Sequence, residues 1–217
     1  MKRNIVVSLF DLTGEVVKPW RDAGYECWIV DTQHPEAYPN GGVTFEDGIH
    51  KVHYDLSRSW LPPFNKDRIA FAAAAPPCTH VAVSGSKWFK GKGLRLLASS
   101  VNLFATAAEF CEWSKAPYFI ENPITTMATY WRKPDYYFSP DQFTGLFAGD
   151  NYTKETSLWT GGGFVMPEEF KAGGLGKPDD RIHKCPPGKD RANIRSAMPR
   201  GFSLAVFLAN NITGEGQ

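Results

Sequence analysis

One short stretch constrains the fold more than any other. Residues 68–75 run almost without interruption through apolar side chains, and Pro76-Pro77 then stops them. A run of this length with no polar alternation is buried on both faces, which is how a central strand of a parallel sheet reads. Other short apolar runs share the pattern. Ile5–Leu9 is β-branched, and residues 26–30 end at Asp31. Residues 49–54 end near Asp55, and residues 118–120 are stopped by Glu121-Asn122-Pro123. Thr13-Gly14 opens a helical spacing that reaches Ala23 and closes at Gly24, a C-cap residue. Strand, turn, helix and strand in that order open a doubly wound α/β sheet.

The remaining segments fill in the organisation. Residues 34–48 carry Pro35, Pro39, Asn40, Gly41 and Gly42, so loop is expected there. Residues 94–113 hold the longest helical pattern, 156–160 read as a further short strand, and 202–211 as a last helix. Residues 161–190 contain seven Gly and four Pro, which marks a long connection. The expected layout is one domain: a core over 1–160, that connection over 161–190, and a returning segment over 191–217. At 217 residues the chain fits a single α/β unit.

Composition excludes several classes. Lys plus Arg number 24 against 23 acids, which rules out a histone-like polycation but not a local basic patch. No apolar run approaches the ~20 residues that span a bilayer, so no membrane partner is expected. The opening residues turn polar too soon for a signal peptide and read as the approach to the first strand. Cys27, Cys78, Cys111 and Cys185 form no Cys-x-x-Cys pair. Neither Cys78/His80 nor His183/Cys185 has a zinc spacing, so no metal is expected. A reducing cytoplasm is the expected setting.

Open α/β sheets bind ligands at the carboxyl ends of their strands, where Asp11, Asp31 and Asp55 fall. The turn Phe10-Asp11-Leu12-Thr13-Gly14 lacks the glycine-rich fingerprint, and a carboxylate there repels pyrophosphate. A ligand with ribose hydroxyls and an ammonium group suits it better. Asp31, twenty positions after Asp11, is placed to accept both ribose hydroxyls. The alternative is that these acids are strand-end turn residues or helix caps.

Cys78 follows the buried run and two prolines, so its thiol is aimed by a stiff turn. A lone cysteine is most often a small buried hydrophobe, which suffices for Cys27 and Cys111. Around Cys78 the chemistry differs: Thr79, His80, Ser84, Gly85 and Ser86 are polar, and Lys87, Lys90, Lys92 and Arg95 are cationic. Nearby positive charge favours the thiolate nucleophile. Trp88 and Phe89 interleave those cations, which suits a phosphate backbone and an unstacked base, although a solvated loop reads the same way. Glu121, half shielded by Tyr118 and Phe119, is placed to share or donate a proton; in isolation it is equally a strand-ending acid facing water.

Taken together, these residues resemble the DNA cytosine-5 methyltransferases, most closely their compact phage and prophage members. The Asp11 turn, Asp31, Pro76-Pro77-Cys78 and Glu121-Asn122-Pro123 stand in that family's order and spacing. Tyr152-Thr153-Lys154-Glu155-Thr156-Ser157-Leu158-Trp159 is similar to a stretch of the compact members, and so is Arg191-Ala192-Asn193-Ile194-Arg195-Ser196 with Pro199 and Gly201-Phe202. The resemblance covers about residues 5–208.

It implies a Rossmann-like S-adenosylmethionine-dependent fold, a mostly parallel sheet with helices on both faces. It implies Cys78 as nucleophile toward C6 of a flipped-out DNA cytosine, and Glu121 on the N3/N4 edge. Phe10 would pack on the adenine of S-adenosyl-L-methionine, Asp31 bind its ribose and Asp55 its amino group, with Thr13 and Gly14 near the methionine end. Asp11, Leu12, Pro76, Arg195 and Ser196 complete the implied cofactor set. Pro77, Ser84, Lys87, Asn122, Pro123 and Thr156 form the implied substrate set.

Three features depart from the family. Asp11 and Leu12 stand where the family usually has small residues or glycine, which points to weaker cofactor binding, an altered pose or a variant donor. The paired arginines are not both present; Lys154 supplies one charge and Thr156 a hydroxyl, and a lysine is no bidentate fork. The target-reading region shrinks to about 161–190. The same chemistry on RNA or a free nucleotide therefore stands as the second expectation, and a catalytically silent binder as the third.

Overall fold

The computed structural model describes residues 2–36 and 42–211. It contains one eight-stranded sheet, formed by β1 (Ile5–Leu9), β2 (Glu26–Asp31), β3 (Gly42–Glu46), β4 (Ile49–His53), β5 (Ile69–Ala74), β6 (Tyr118–Pro123), β7 (Tyr136–Phe138) and β8 (Thr156–Gly161). The strand order is β3-β4-β2-β1-β5-β6-β8-β7. Strands β4, β2, β1, β5 and β6 are parallel neighbours; β3 and β8 run against them, and β7, antiparallel to β8, runs with them again. This mixed, mostly parallel α/β sheet is consistent with a Rossmann-like fold.

The residues 68–75 run becomes β5, paired with β1 on one side and β6 on the other. Both faces of the sheet are covered. Ile5, Val7, Trp28, Val30, Ala72 and Ala74 face one core, against which the long helix α3 (Leu94–Ser114) packs Phe104, Ala107 and Cys111. The short helix α2 (Phe89–Lys92) precedes it. Val6, Cys27, Ile29, Phe71 and Ala73 face the other core. There α1 (Lys18–Asp22) contributes Trp20, and the C-terminal helix α7 (Arg200–Asn210) contributes Phe202, Ala205 and Val206. The helices α4 (Met127–Tyr130), α5 (Arg181–Lys184) and α6 (Arg191–Ser196) are one or two turns each. No helix among the described residues is long and apolar enough to cross a membrane.

Local structure departs from the sequence expectations at four places. The first helix starts only at Lys18, because Gly14 takes a positive φ of 68° and its carbonyl closes a turn with Val17 and Lys18. Gly24, φ 86°, ends it as expected. The expected 34–48 loop contains β3, joined to β4 by Asp47-Gly48, both with positive φ. Asp-Gly between two extended runs is a hairpin signal; Pro39, Asn40 and Gly41 lie outside the described residues. Glu121-Asn122-Pro123 do not stop β6 but pair with β8 as its last three positions. Finally β7, three residues long, has too short a pattern to be read from sequence.

Candidate active site

The parallel strands deliver their following turns to one edge of the sheet. After β1, Phe10 adopts a left-handed φ of 56°, uncommon for a bulky side chain. Asp11 then folds back on its own turn: its Oδ1 accepts hydrogen bonds from Gly14 N at 2.7 Å and Thr13 N at 3.0 Å. The capping alternative therefore describes one of its oxygens. The other, Oδ2, is buried with no hydrogen-bond partner. Burial pushes the Asp11 carboxyl above the usual carboxylate range despite those backbone donors. Neighbouring His34 is held below its ordinary value by burial, so its neutral ring donates from Nε2 to the Asp11 carbonyl at 3.0 Å.

This turn walls an open cleft at the sheet edge. Phe10, Asp11, Leu12 and Thr13 form one side; Asp31 ends β2 and Gln33 follows it; the small side chains Ala73 and Ala74 of β5, with Ala75 just after it, form the floor. Asn193 and Ser196 of α6 face them, and Asn193 donates to Gln33 Oε1 at 2.9 Å across the cleft. Asp31 uses Oδ1 to accept from Gln33 N at 2.8 Å. Four of the expected cofactor residues do not line this cleft: Gly14, Asp55, Pro76 and Arg195. Asp55 is exposed and caps Ser57 N at 2.9 Å. Gly14 faces the core beside Ile29 and Ile49. Sequence reasoning missed Gln33 and Asn193, and their pairing across most of the chain leaves no local signal.

One strand further along the edge, the β5 turn carries Cys78. Its carbonyl accepts from Val81 N at 3.0 Å and Ala82 N at 2.9 Å, which coils the chain directly behind the thiol. Three bonds then tie this turn to the end of β6. Asn122 Nδ2 donates to the Pro76 carbonyl at 2.7 Å, Val83 N to Ile124 O at 2.9 Å, and Thr126 N to Val81 O at 3.0 Å. Pro76 is thus a buried acceptor at the junction, while Pro77 is exposed. Glu121 is buried, and Lys154 Nζ lies 3.2 Å from its Oε1, with the two side chains only 6% and 12% exposed. That approach is close enough for an ion pair but off the hydrogen-bond line, so Oε1 still has no hydrogen bond; Asn122 Oδ1 and Arg195 Nε are likewise buried and unpaired. Thr156, at the start of β8, donates from Oγ1 to the Lys154 carbonyl at 3.0 Å and holds that lysine's backbone.

The electrostatics of Cys78 correct the sequence reading. The cations of the loop after it were expected to favour the thiolate. Instead burial pushes the thiol up, the Glu121 carboxylate pushes it further, and the charges that pull it down are Lys154 and Arg195. Two of the loop cations are engaged elsewhere: Lys87 lies over the Trp88 ring at 5.2 Å, and Lys92 donates to the Thr79 carbonyl at 2.7 Å. Ser84 is exposed on the same loop. Cys27 and Cys111 are buried and inert, with Cys27 pushed up to about 12.

The arrangement gathers a half-buried thiol, a buried carboxylate and two cations beside an acid-walled cleft. Compared with known proteins, the chain matches no family model and no curated protein.

Proposed function

We propose that this protein is an S-adenosylmethionine-dependent methyltransferase that modifies C5 of cytosine in DNA through a covalent adduct between Cys78 Sγ and C6. The observation that carries the reading is the meeting of Cys78, Glu121 and Lys154 at the sheet edge where the acid-walled cleft also opens.

The cleft suits the cofactor chemically. The orphaned Asp11 Oδ2 needs a donor or a cation, which the α-ammonium of a methionine end supplies. Asp31 has a carboxylate oxygen left for ribose hydroxyls, and Phe10 offers a ring to an adenine. When bound, the cofactor supplies an electrophilic methyl group.

The chain's own residues do the rest. C5 of cytosine is too weak a nucleophile until a thiolate has added to C6. Cys78 makes that bond, and the displaced electron pair moves toward C5 and the N3 edge of the ring. Glu121 meets that edge with a shared proton. As it does so its negative charge beside the thiol diminishes, so the thiol releases its proton more readily when substrate is in place. Lys154 and Arg195 favour the thiolate throughout. Once C5 carries the methyl group, solvent water takes the C5 proton, and the electron pair of that C–H bond expels the Cys78 sulfur as thiolate and restores the ring. A cytosine reaches this thiol only out of its stack, so the target is flipped or single-stranded.

RNA or a free cytosine nucleotide is the second reading. It is favoured by residues 161–190, which after the last residue of β8 hold only the one-turn helix α5, a poor base-reading module. Nucleoside mass spectrometry on DNA and RNA from cells making wild-type protein or Cys78→Ser tests both. A 5-substituted deoxycytidine present only with wild type supports the proposal, and a 5-substituted cytidine moves it to RNA. Identical profiles from folded wild type and variant refute the enzyme.

A further inference from the structure

A second pocket lies beside the Cys78 turn, away from the acid-walled cleft. It measures about 770 Å³ to its open mouth and is formed by His80, Thr126, Phe89, Tyr130, Lys90 and the start of α3. Two polar atoms in its wall, His80 Nδ1 and Thr126 Oγ1, are buried without a hydrogen-bond partner. An unpaired buried polar atom is costly, and groups of this kind collect where a ligand completes them.

The chemistry of the lining is selective. Phe89 and Tyr130 present aromatic rings, and Tyr130 is 56% exposed. Lys90 has no ion-pair partner among the described residues, and the lining contains no acid. From residue 68 to residue 108 the sequence has no Asp or Glu at all. His80 is held below its ordinary value by burial and by Lys92, so at neutral pH its ring offers one donor and one acceptor. Rings to stack on, a free cation and unpaired hydrogen-bonding atoms with no acid nearby match the parts of a nucleotide.

The pocket is also tied to the thiol. The bonds from Val83 N to Ile124 O and from Thr126 N to Val81 O, which hold the Cys78 turn against the end of β6, place His80 and Thr126 in this wall. Lys92, bonded to the Thr79 carbonyl, anchors the far side to the residue between Cys78 and His80.

We propose that this pocket is a second nucleotide subsite, which takes an unstacked base and its phosphate from the strand that carries the target cytosine. The identity of the strand's target rests on the function proposed above; the subsite itself does not. It gives the protein a means of reading a neighbouring base that the reduced 161–190 segment does not supply.

Fluorescence anisotropy with labelled, cytosine-free hexamers of thymidine and of uridine tests this without any methyl transfer. Wild type and Cys78→Ser are expected to bind at least one hexamer equally well. Tyr130→Ala is expected to weaken it by roughly tenfold, the loss of one stacked base, and Tyr130→Phe to restore it. Thr126→Val, which keeps the side chain's shape, is expected to change the ratio of thymidine to adenosine hexamer affinity. If Lys90→Ala weakens binding while Tyr130→Ala and Thr126→Val do nothing, the surface is only a cationic patch and the subsite is refuted. Pocket-dependent binding in a protein that never modifies cytosine removes the proposed function and leaves the subsite standing. Thymidine and uridine hexamers separate DNA from RNA as its source.

Discussion

Replacing Lys154 by Met isolates the charge pair on which the thiol's environment depends. At 3.2 Å and an effective dielectric constant of about 20, the attraction to Glu121 is about 5 kcal/mol. Desolvation of both groups offsets much of that, so the pair's net contribution is smaller than the attraction alone. Removing Lys154 leaves the Glu121 carboxylate buried and unpaired, which costs about 3–5 kcal/mol. Lys154→Met is therefore expected to lose stability in that range by urea unfolding at pH 8, followed through the seven tryptophans. The double variant Lys154→Met/Glu121→Gln should recover most of it, because no charge is then stranded. Reactivity gives a second readout. Lys154 pulls the Cys78 thiol down, so its loss should shift the pH profile of Cys78 alkylation to higher pH, measured in a Cys185→Ser background. Removing Glu121 as well should shift it back. A single variant that loses less than about 1 kcal/mol, or a double variant as unstable as the two singles summed, would refute the coupling.

Asp11→Asn should separate stability from binding. Because the folded carboxyl lies above its unfolded value, its charge costs stability increasingly as pH rises through the folded value. Asparagine keeps the acceptor for Gly14 N and Thr13 N, so a gain of about 1 kcal/mol, roughly 2–4 °C in Tm, is expected at pH 8. The gain should fade toward pH 4, while S-adenosylmethionine affinity by calorimetry falls about tenfold; unchanged affinity would place the ammonium elsewhere. Gly162→Ala should cost more than about 3 kcal/mol or abolish folding, since a Cβ there would stand 1.8 Å from the Ala116 carbonyl oxygen. Gly163→Ala has a similar positive φ but open space, so about 1–2 kcal/mol is expected. Equal losses in urea unfolding would show that backbone strain alone decides.

Much of the sheet was legible because its cause is local. Residues 68–75 are apolar on both faces and end in two prolines, and that is enough to mark a central strand wherever the rest of the chain goes. The same holds for β1, β2, β4 and the long helix α3, each carried by a period or a run within a few residues. Glu121-Asn122-Pro123 show the limit: three residues that punctuate a strand in isolation continue it when β8 supplies an antiparallel partner. Asp55, a strand-end acid like Asp31, turned out to cap its own loop, since spacing alone does not say which way a carboxylate points. The thiol shows the limit most sharply. The cations nearest it in sequence are those of the loop from Lys87 onward, yet the charges that act on it come from β6, from the approach to β8 and from α6. Hydrophobic patterning is written along the chain because burial is repeated residue by residue. Electrostatics follows distance through space, and for Cys78 only the packing of those distant segments against the sheet edge set which charges stand close.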